Sequence, residues 1–151
     1  MTTDARALTA YHEASHAVAA FILGRDLYMV EVPTSGSLGG KAAGRCTTMA
    51  TLRDLQDDPI AAEAEAVVCF AGGFAMEALG LTASGTGHDE HKAAEVAVWG
   101  AKSADDAIAL HDRARRRARR LVDSERFQDL ALRLLEYLLE PGHSRPLSVR
   151  G

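Results

Sequence analysis

Residues 10–24, AYHEASHAVAAFILG, carry the pattern HExxH inside a stretch with helical periodicity. The helix is expected to begin near Thr3 or Asp4, which are favourable N-cap residues, and to end where Gly24 follows. One mostly apolar face is formed by residues at steps of three and four, namely Leu8, Tyr11, Ser15, Val18 and Ile22. This amphipathic helix is the element around which the rest of the fold is predicted.

The two histidines of the pattern, His12 and His16, lie one helical turn apart on a face next to the apolar one. Both imidazoles can therefore reach a single tetrahedral Zn²⁺ at about 2.0–2.1 Å. Glu13 follows the first histidine and would lie beside the metal, where it can act as a general base toward water. The pattern predicts a catalytic zinc site, and the alternative is a pair of surface histidines beside a solvated glutamate.

A catalytic zinc needs a third protein ligand and an open fourth position. The longer metzincin pattern would need glycine at 19 and histidine at 22, whereas this chain has Ala19 and Ile22. The cluster GHDEH (87–91) follows a glycine-containing loop and opens a predicted helix, a position that can present a side chain inward. Spacing alone leaves the third ligand open among Glu77, His88, Asp89, Glu90, His91 and Glu95.

The remaining pattern predicts a mainly α (α+β) fold. Strands are expected over 27–33 and 45–50, joined by the glycine-rich segment 34–44 as a small β-hairpin or edge strand. Helices are expected at Pro59–Leu79, Asp89–Trp99, 105–122 and 125–139, with a loop over 81–87 and a loose tail from about 141. Because no repeat or linker interrupts the chain, residues 1–151 are predicted to form a single domain.

Two glycines stand inside the second long helix. Gly72 and Gly73 cost about 1 kcal/mol each relative to alanine at such positions. This cost suggests that another backbone approaches the helix closely there.

The composition is that of a globular protein, with 47% apolar and 25% charged residues and a net charge of −4. Cys46 and Cys69 lack partners at metal-ligand spacing and are expected to be buried or half-buried thiols in a reducing compartment. The first residues lack the features of a signal peptide, and no run approaches the roughly 18 apolar residues of a membrane span. A cytoplasmic protein without membrane contact is expected.

The basic residues are concentrated in one predicted helix, as Arg113, Arg115, Arg116, Arg117, Arg119 and Arg120. The simplest interpretation is a solvated helix face whose Ala114, Ala118 and Leu121 point inward. Contact with an acidic partner or a second subunit is the alternative. Nucleic-acid binding is disfavoured because the whole chain is acidic and no aromatic residues interleave the run.

Several segments resemble the peptidase domain of FtsH-type AAA+ proteases. AYHEASHAVAAFILG (10–24) is similar to that family's zinc-binding helix, whose usual form is AYHEAGHAV. VEVPTSGSLGG (30–40) is similar to its strand and glycine loop, FAGGFAMEALG (70–80) to its LGGRxAEE helix, and GTGHDEHKAAEVA (85–97) to its TGASNDLxxAT segment. The segments occur in the family's order and cover most of the chain.

The resemblance implies a zincin-like helical domain with zinc-dependent endopeptidase activity on polypeptides. Carried over by position, it makes His12, His16 and Asp89 the metal ligands and Glu13 the catalytic residue. His88 stands where the family has asparagine, and its imidazole could compete with Asp89 for the metal.

The resemblance also implies roles around the metal. Val30, Glu31 and Val32 match the family's strand at the edge of the active site, which can pair with an extended substrate. Glu77 matches the first glutamate of the AEE motif and is expected to support the ligands rather than to bind zinc. His88 is the other candidate for such a supporting position, if it does not compete as a ligand.

The chain has neither the ATPase module nor the membrane anchors of the FtsH architecture, and no GxxxxGK[ST] occurs in it. ATP-independent cleavage of flexible or unfolded polypeptides is therefore expected, with a separate ATPase or a homo-oligomer as candidate partners. The alternative from another functional class is a zinc-binding interaction or regulatory module with little turnover. The presence of Glu13 favours an enzyme, because a structural zinc site needs ligands but no base.

Overall fold

The computed structural model describes four stretches of the chain: residues 5–31, 45–48, 50–81 and 86–140. Within these stretches the chain is mainly helical, with six helices and one pair of strands. Several predicted features lie outside the described residues: the helix N-cap at Thr3 or Asp4, the connection 34–44, most of the loop 81–87 and the tail from 141. Residues 32, 33 and 49 of the two predicted strands do so as well.

The first helix, α1 (Ala5–Ile22), buries most of its residues from Ala10 to Ala20, including the alanines at 10, 14, 17, 19 and 20. These small side chains let neighbouring helices approach closely. The helix ends as predicted at Gly24, which has a φ of 68° that a glycine adopts without strain. The Arg25 N–H then bonds to the Ala20 carbonyl at 2.8 Å and closes the helix end.

Two short strands follow, β1 (Leu27–Glu31) and β2 (Arg45–Thr48), and they pair antiparallel. Val30 pairs with Cys46 in the register of the two strands, and the Val30 side chain is fully buried. The sheet packs against α1, which places it beside the helix that carries the histidines.

A short helix that the sequence pattern does not predict, α2 (Leu52–Leu55), precedes the second long helix. Thr51 caps it by accepting a hydrogen bond from the Asp54 N–H, while the Asp54 carboxylate accepts one from the Thr51 N–H. This reciprocal capping box stabilises a single turn, and Leu55 anchors the turn in the core.

The central element is α3 (Pro59–Ala78), which packs against α1 and two later helices. Asp58 caps it and Pro59 occupies the first turn, as the sequence predicts. By length and composition α3 could cross a membrane, so the expectation that no segment approaches a membrane span is too strong. However, 67% of that apolar window is buried inside the fold, as in a core helix.

The next helix, α4 (Thr86–Gly100), begins three residues earlier than predicted, and its first two residues fall in the expected loop 81–87. At its other end α4 lies against the start of α3. A Cβ built on Gly100 would lie 2.2 Å from the Ala62 Cβ and 3.1 Å from the Asp58 carbonyl oxygen. A glycine is therefore required where these two helices meet.

The last two helices, α5 (Ala104–Val122) and α6 (Glu125–Leu139), match their predicted bounds to within one residue. Ser103 and Ser124 cap them through side-chain hydrogen bonds. One core takes in side chains from Ala10 in α1 to Leu138 in α6.

The arginine run on α5 has its alanines inward, since Ala114 and Ala118 are fully buried. The arginines are not all simply solvated. Arg113 and Arg117 both bind the carboxylate of Glu63 on α3. Arg119 lies 3.3 Å from Glu77 and places its guanidinium 4.1 Å from the centre of the Phe74 ring. Part of the run therefore ties α5 to α3.

Candidate metal centre

The two histidines of α1 point their outer nitrogens at one another. His12 Nε2 and His16 Nε2 are 3.0 Å apart, and the ring planes are nearly perpendicular, at 79°. This follows from the i, i+4 spacing on a regular helix, which stacks the two side chains on one face. Perpendicular rings bring two nitrogen lone pairs toward a common point instead of stacking flat.

Asp89 completes a triangle from a different helix. Its Oδ2 lies 2.9 Å from His12 Nε2 and 3.1 Å from His16 Nε2. Asp89 belongs to the first turn of α4, where a carboxylate is favoured by the helix dipole. The three atoms form a nearly equilateral triangle with sides of about 3 Å, and among the described residues no other group of metal-binding side chains converges in this way.

The triangle fits the ligand geometry of zinc. Tetrahedral bonds of about 2.0–2.1 Å place neighbouring ligand atoms about 3.3–3.4 Å apart. The observed separations of 2.9–3.1 Å are within a few tenths of an ångström of that value. Two imidazoles and one carboxylate are also a donor set of catalytic zinc sites with one position left open. His12, His16 and Asp89 could therefore hold the ion.

His16 is oriented by a second contact, on the far side of its ring. Its Nδ1 lies 2.6 Å from the Val68 carbonyl oxygen of α3. A carbonyl only accepts hydrogen bonds, so Nδ1 carries the hydrogen and Nε2 keeps its lone pair toward Asp89 when the ring is neutral. This is the arrangement that fixes the tautomer of a histidine that binds a metal.

The electrostatics of the site favour a positive charge at the centre of the triangle. Burial lowers the pKa of His16, but the hydrogen bond and charge of Asp89, with smaller contributions from Glu13 and Val68, raise it to about 9. Burial opposes ionisation of Asp89, yet its contacts with the two histidines hold its pKa well below the usual range. In the metal-free protein a proton supplies the charge that a metal ion can supply instead.

Glu13 lies beside this triangle without belonging to it. The residue is 8% exposed, and its Oε1 is 4.0 Å from His12 Nε2. The carboxylate therefore lies next to the three ligand atoms without being one of them. From there it can exchange a proton with a molecule at the open position.

The other third-ligand candidates lie apart from the triangle. His88 and Glu90 are exposed on α4, and His91 pairs with Glu95 at 3.8 Å on the surface of the same helix. Glu77 is more than half exposed and contacts Arg119. The structure therefore brings Asp89, and none of its exposed neighbours, to the two histidines.

A pocket opens beside Asp89 between α3 and α4. It is lined by Cys69, Phe70, Gly73, Phe74, Glu77, Asp89 and Glu90. Glu77 thus lines the approach to a ligand instead of touching the histidines. Of the predicted edge-strand residues, Val30 is buried, while the Glu31 side chain and the whole of Val32 lie outside the description.

Sequence reasoning missed two contributions of α3 to this site. The Val68 carbonyl carries no signal, because every residue has one. For Gly72 the sequence predicts the close approach of a backbone and gives no sign of the histidines. The groups nearest the site of its missing Cβ are the imidazole rings of His16 and His12.

Compared with protein-family models and with curated proteins, the chain matches none. The resemblance to FtsH-type peptidases thus remains one of motif residues and their order. The geometry of His12, His16 and Asp89 is independent of that resemblance.

Proposed function

We propose that this protein is a zinc-dependent endopeptidase whose zinc is held by His12, His16 and Asp89. The observation that carries the proposal is the triangle of three ligand atoms, drawn from α1 and α4, with the Glu13 carboxylate 4.0 Å from one of them. A structural site would use a fourth side-chain ligand in place of an open position and would need no neighbouring base.

The three ligand residues bind the zinc and fix its position, and Glu13 transfers the proton. When bound, zinc supplies a Lewis acid that makes water nucleophilic near neutral pH and polarises a substrate carbonyl. Glu13 takes the proton that water gives up on attacking the carbonyl carbon, and then delivers it to the nitrogen of the leaving amine. The peptide C–N bond breaks, and the two products are a carboxylate and an amine.

The proposed substrate is a flexible or unfolded polypeptide, cleaved without ATP. The sequence contains no GxxxxGK[ST] motif that would couple ATP hydrolysis to unfolding. We assign substrate alignment to the backbone of β1, since an extended peptide can add to a sheet edge by main-chain hydrogen bonds. The buried Val30 side chain supports this assignment, because it leaves the backbone as the group available for pairing.

The finer fold is part of the same proposal. We propose a zincin-like domain related to FtsH-type peptidases, in which β1 and β2 are joined as a hairpin. The support is the order of the motifs together with the antiparallel pairing of the two strands. The cytoplasmic location stays a prediction from the sequence.

Zinc content and proteolysis of the purified protein test the function together. We expect about one zinc per chain, cleavage of an unstructured casein-like substrate, and loss of cleavage with a chelator that is reversed by added zinc. Glu13→Gln, purified in the same way, serves as the preparation control, because a contaminating protease would cleave equally in every variant. Glu136→Gln, on the exposed surface of α6, should cleave as the wild type does. A purified protein that holds no zinc and is not loaded by added zinc would refute the proposal.

A further inference from the structure

Position 72 of α3 has no room for a side chain. A Cβ built on Gly72 would lie 2.5 Å from His16 Nε2, 2.8 Å from His16 Cε1 and 2.9 Å from His12 Cε1. Real Cβ atoms essentially never come within 3.0 Å of another heavy atom. Since all three contacts are with rigid rings of the metal site, a side chain at 72 would displace the rings themselves.

A movement of the rings away from α3 would weaken other contacts of the site. His16 is 6% exposed and bonded through Nδ1 to the Val68 carbonyl, so its ring is held on the side away from Asp89. A shift of a few tenths of an ångström would lengthen either that bond or the distances within the ligand triangle. A side chain at position 72 would therefore displace the ligand atoms of the histidines.

Helix geometry adds a second consequence of the missing side chain. In α3 the Val68 carbonyl points toward the N–H of Gly72, four residues later. Helical side chains lean toward the N-terminus, so a Cβ at 72 would cover the turn that contains this carbonyl. The absence of a Cβ leaves the carbonyl open to a donor from another helix, and the donor is His16 Nδ1.

Two other helical glycines, Gly87 and Gly100, differ from Gly72 in what a Cβ would meet. Gly87, in the first turn of α4, has nothing within 4 Å of its built Cβ. Gly100 lacks room as severely as Gly72 does, but what its Cβ would meet is Ala62, in a contact between helices. Alanine at positions 87, 100 and 72 would therefore report on helix propensity, on the contact between two helices and on contact with the ligand rings, respectively.

We infer that Gly72 is a positioning residue of the metal site, whose missing side chain lets His12 and His16 take up ligand geometry and thereby sets the affinity for zinc. This inference rests on the proposed zinc site. It assigns to α3, which contributes no ligand, the task of placing the rings through Gly72 and the carbonyl of Val68.

The first test compares three glycine-to-alanine variants by zinc competition with a chromophoric chelator and by thermal unfolding of the metal-free proteins. Gly72→Ala should bind zinc at least about tenfold more weakly, as expected when the orientation of a ligand is lost. Gly100→Ala should lower Tm but bind zinc as the wild type does, and Gly87→Ala should bind zinc as the wild type does without lowering Tm, because alanine is the better helix former. If Gly72→Ala binds zinc as tightly as the wild type, the inference is overturned.

The second test needs no metal, so it separates this inference from the proposed function. In the metal-free His12→Ala/His16→Ala background, none of the three close contacts with the imidazole rings exists, and adding Gly72→Ala should lower Tm far less than it does in the wild type. If Gly72→Ala alone fails to fold, the triple variant should recover the helical circular dichroism of its parent. An equal loss of Tm in both backgrounds, or a triple variant that stays unfolded, would overturn the inference. A wild-type protein without zinc affinity would refute the proposed function instead.

Discussion

His16 donates its Nδ1 hydrogen to the carbonyl of Val68 over 2.6 Å, and this bond decides which ring nitrogen faces Asp89. The ring of His16, the second histidine of the HExxH pattern, is therefore oriented by a residue of α3 and not by the helix that carries it. The carbonyl belongs to the central helix α3, whose position is set by its packing between α1, α4 and α5. Ligand orientation is therefore tied to the core of the protein.

Replacing the oriented histidine should remove the metal. His16→Ala deletes one corner of the ligand triangle, so we expect zinc affinity to fall by more than about tenfold and cleavage to be lost with it. Metal analysis after gel filtration measures the loss. His91→Ala, which alters an exposed histidine of α4, is the matched control and should keep its zinc. Full zinc occupancy of His16→Ala would show that the ion binds elsewhere.

The third ligand can be tested against its neighbour. Asp89→Ala should reduce zinc affinity sharply, because Asp89 Oδ2 lies about 3 Å from both histidine nitrogens. His88→Ala should leave zinc occupancy at the wild-type level, because His88 is exposed. The two variants change adjacent residues in the same turn of α4, so they share any local effect on the helix. The reverse pattern would mean that an imidazole completes the site.

The pairing of α5 with α3 should show a defined pH dependence. Burial raises the pKa of Glu63, but the hydrogen bonds and charges of Arg113 and Arg117 outweigh it and lower the pKa. A depressed carboxyl pKa stabilises the fold above the unfolded-state value of about 4.3 and is lost as the pH falls through the folded-state value. The contribution should be at most about 1 kcal/mol, since the side chains of Arg113 and Arg117 are 50% and 38% exposed and solvent screens their charges.

Urea unfolding of the metal-free protein measures this effect. Glu63→Gln should be less stable than the wild type at pH 7, and the difference should shrink as the pH falls below about 4.5. Asp129→Asn, which removes a solvated pair with Arg133 within α6, is the control and should change little at either pH. A Glu63→Gln difference that grows toward low pH would contradict the assignment.

The Cys69 thiol, which lines the pocket beside Asp89, should be inert in the native protein. Burial, with smaller effects of the charges of Glu65 and Asp89, raises the pKa of Cys69 to about 12. The nucleophile is the thiolate, and at pH 8 about one Cys69 in ten thousand would be ionised, against about a quarter for an ordinary cysteine. In a Cys46→Ser background, iodoacetamide should label Cys69 far more slowly in native protein than in urea. Equal rates would contradict the raised pKa of this thiol.

Much of the helical framework could be predicted because its signals are local. Gly24 ends α1, Pro59 begins α3, and apolar periodicity gives the bounds of α5 and α6 to within one residue. The missed helix α2 is one turn long, too short for periodicity to show, and depends on the capping box of Thr51 and Asp54. The local sequence thus predicts helices that are long enough for their apolar pattern to repeat.

The site could be predicted only in part, for a related reason. His12 and His16 lie on one helix, so their spacing alone predicts that their rings share a face. Asp89 lies on another helix, 73 residues after His16. Sequence spacing does not distinguish it from the other candidate third ligands, because its position beside the histidines depends on the packing of α4 against α3. Contacts such as Gly72 with the imidazoles depend on two helices at once and leave no periodic signal.

Glu13 is the residue that separates a peptidase from a zinc-binding module. Its carboxylate lies 4.0 Å from His12 Nε2 in a largely buried position, close enough to act on a molecule at the open position of the metal. Glu13→Gln keeps nearly the same volume but cannot accept a proton. The variant should fold, bind zinc as the wild type does, and lose cleavage of a casein-like substrate by about 10²–10⁴-fold, the usual contribution of a general base.

The comparison is decisive only when zinc content is measured in the same preparations. With equal zinc in both proteins, a large loss of turnover in Glu13→Gln assigns proton transfer to this carboxylate, since the Lewis acid is unchanged. Glu136→Gln should retain full activity, which excludes a general effect of replacing a glutamate. Equal cleavage by the wild type and Glu13→Gln would show that Glu13 is not the base. If both hold zinc and neither cleaves, alone or with cellular ATPases added, the zinc site belongs to an interaction module, because binding needs the ligand triangle but not the carboxylate beside it.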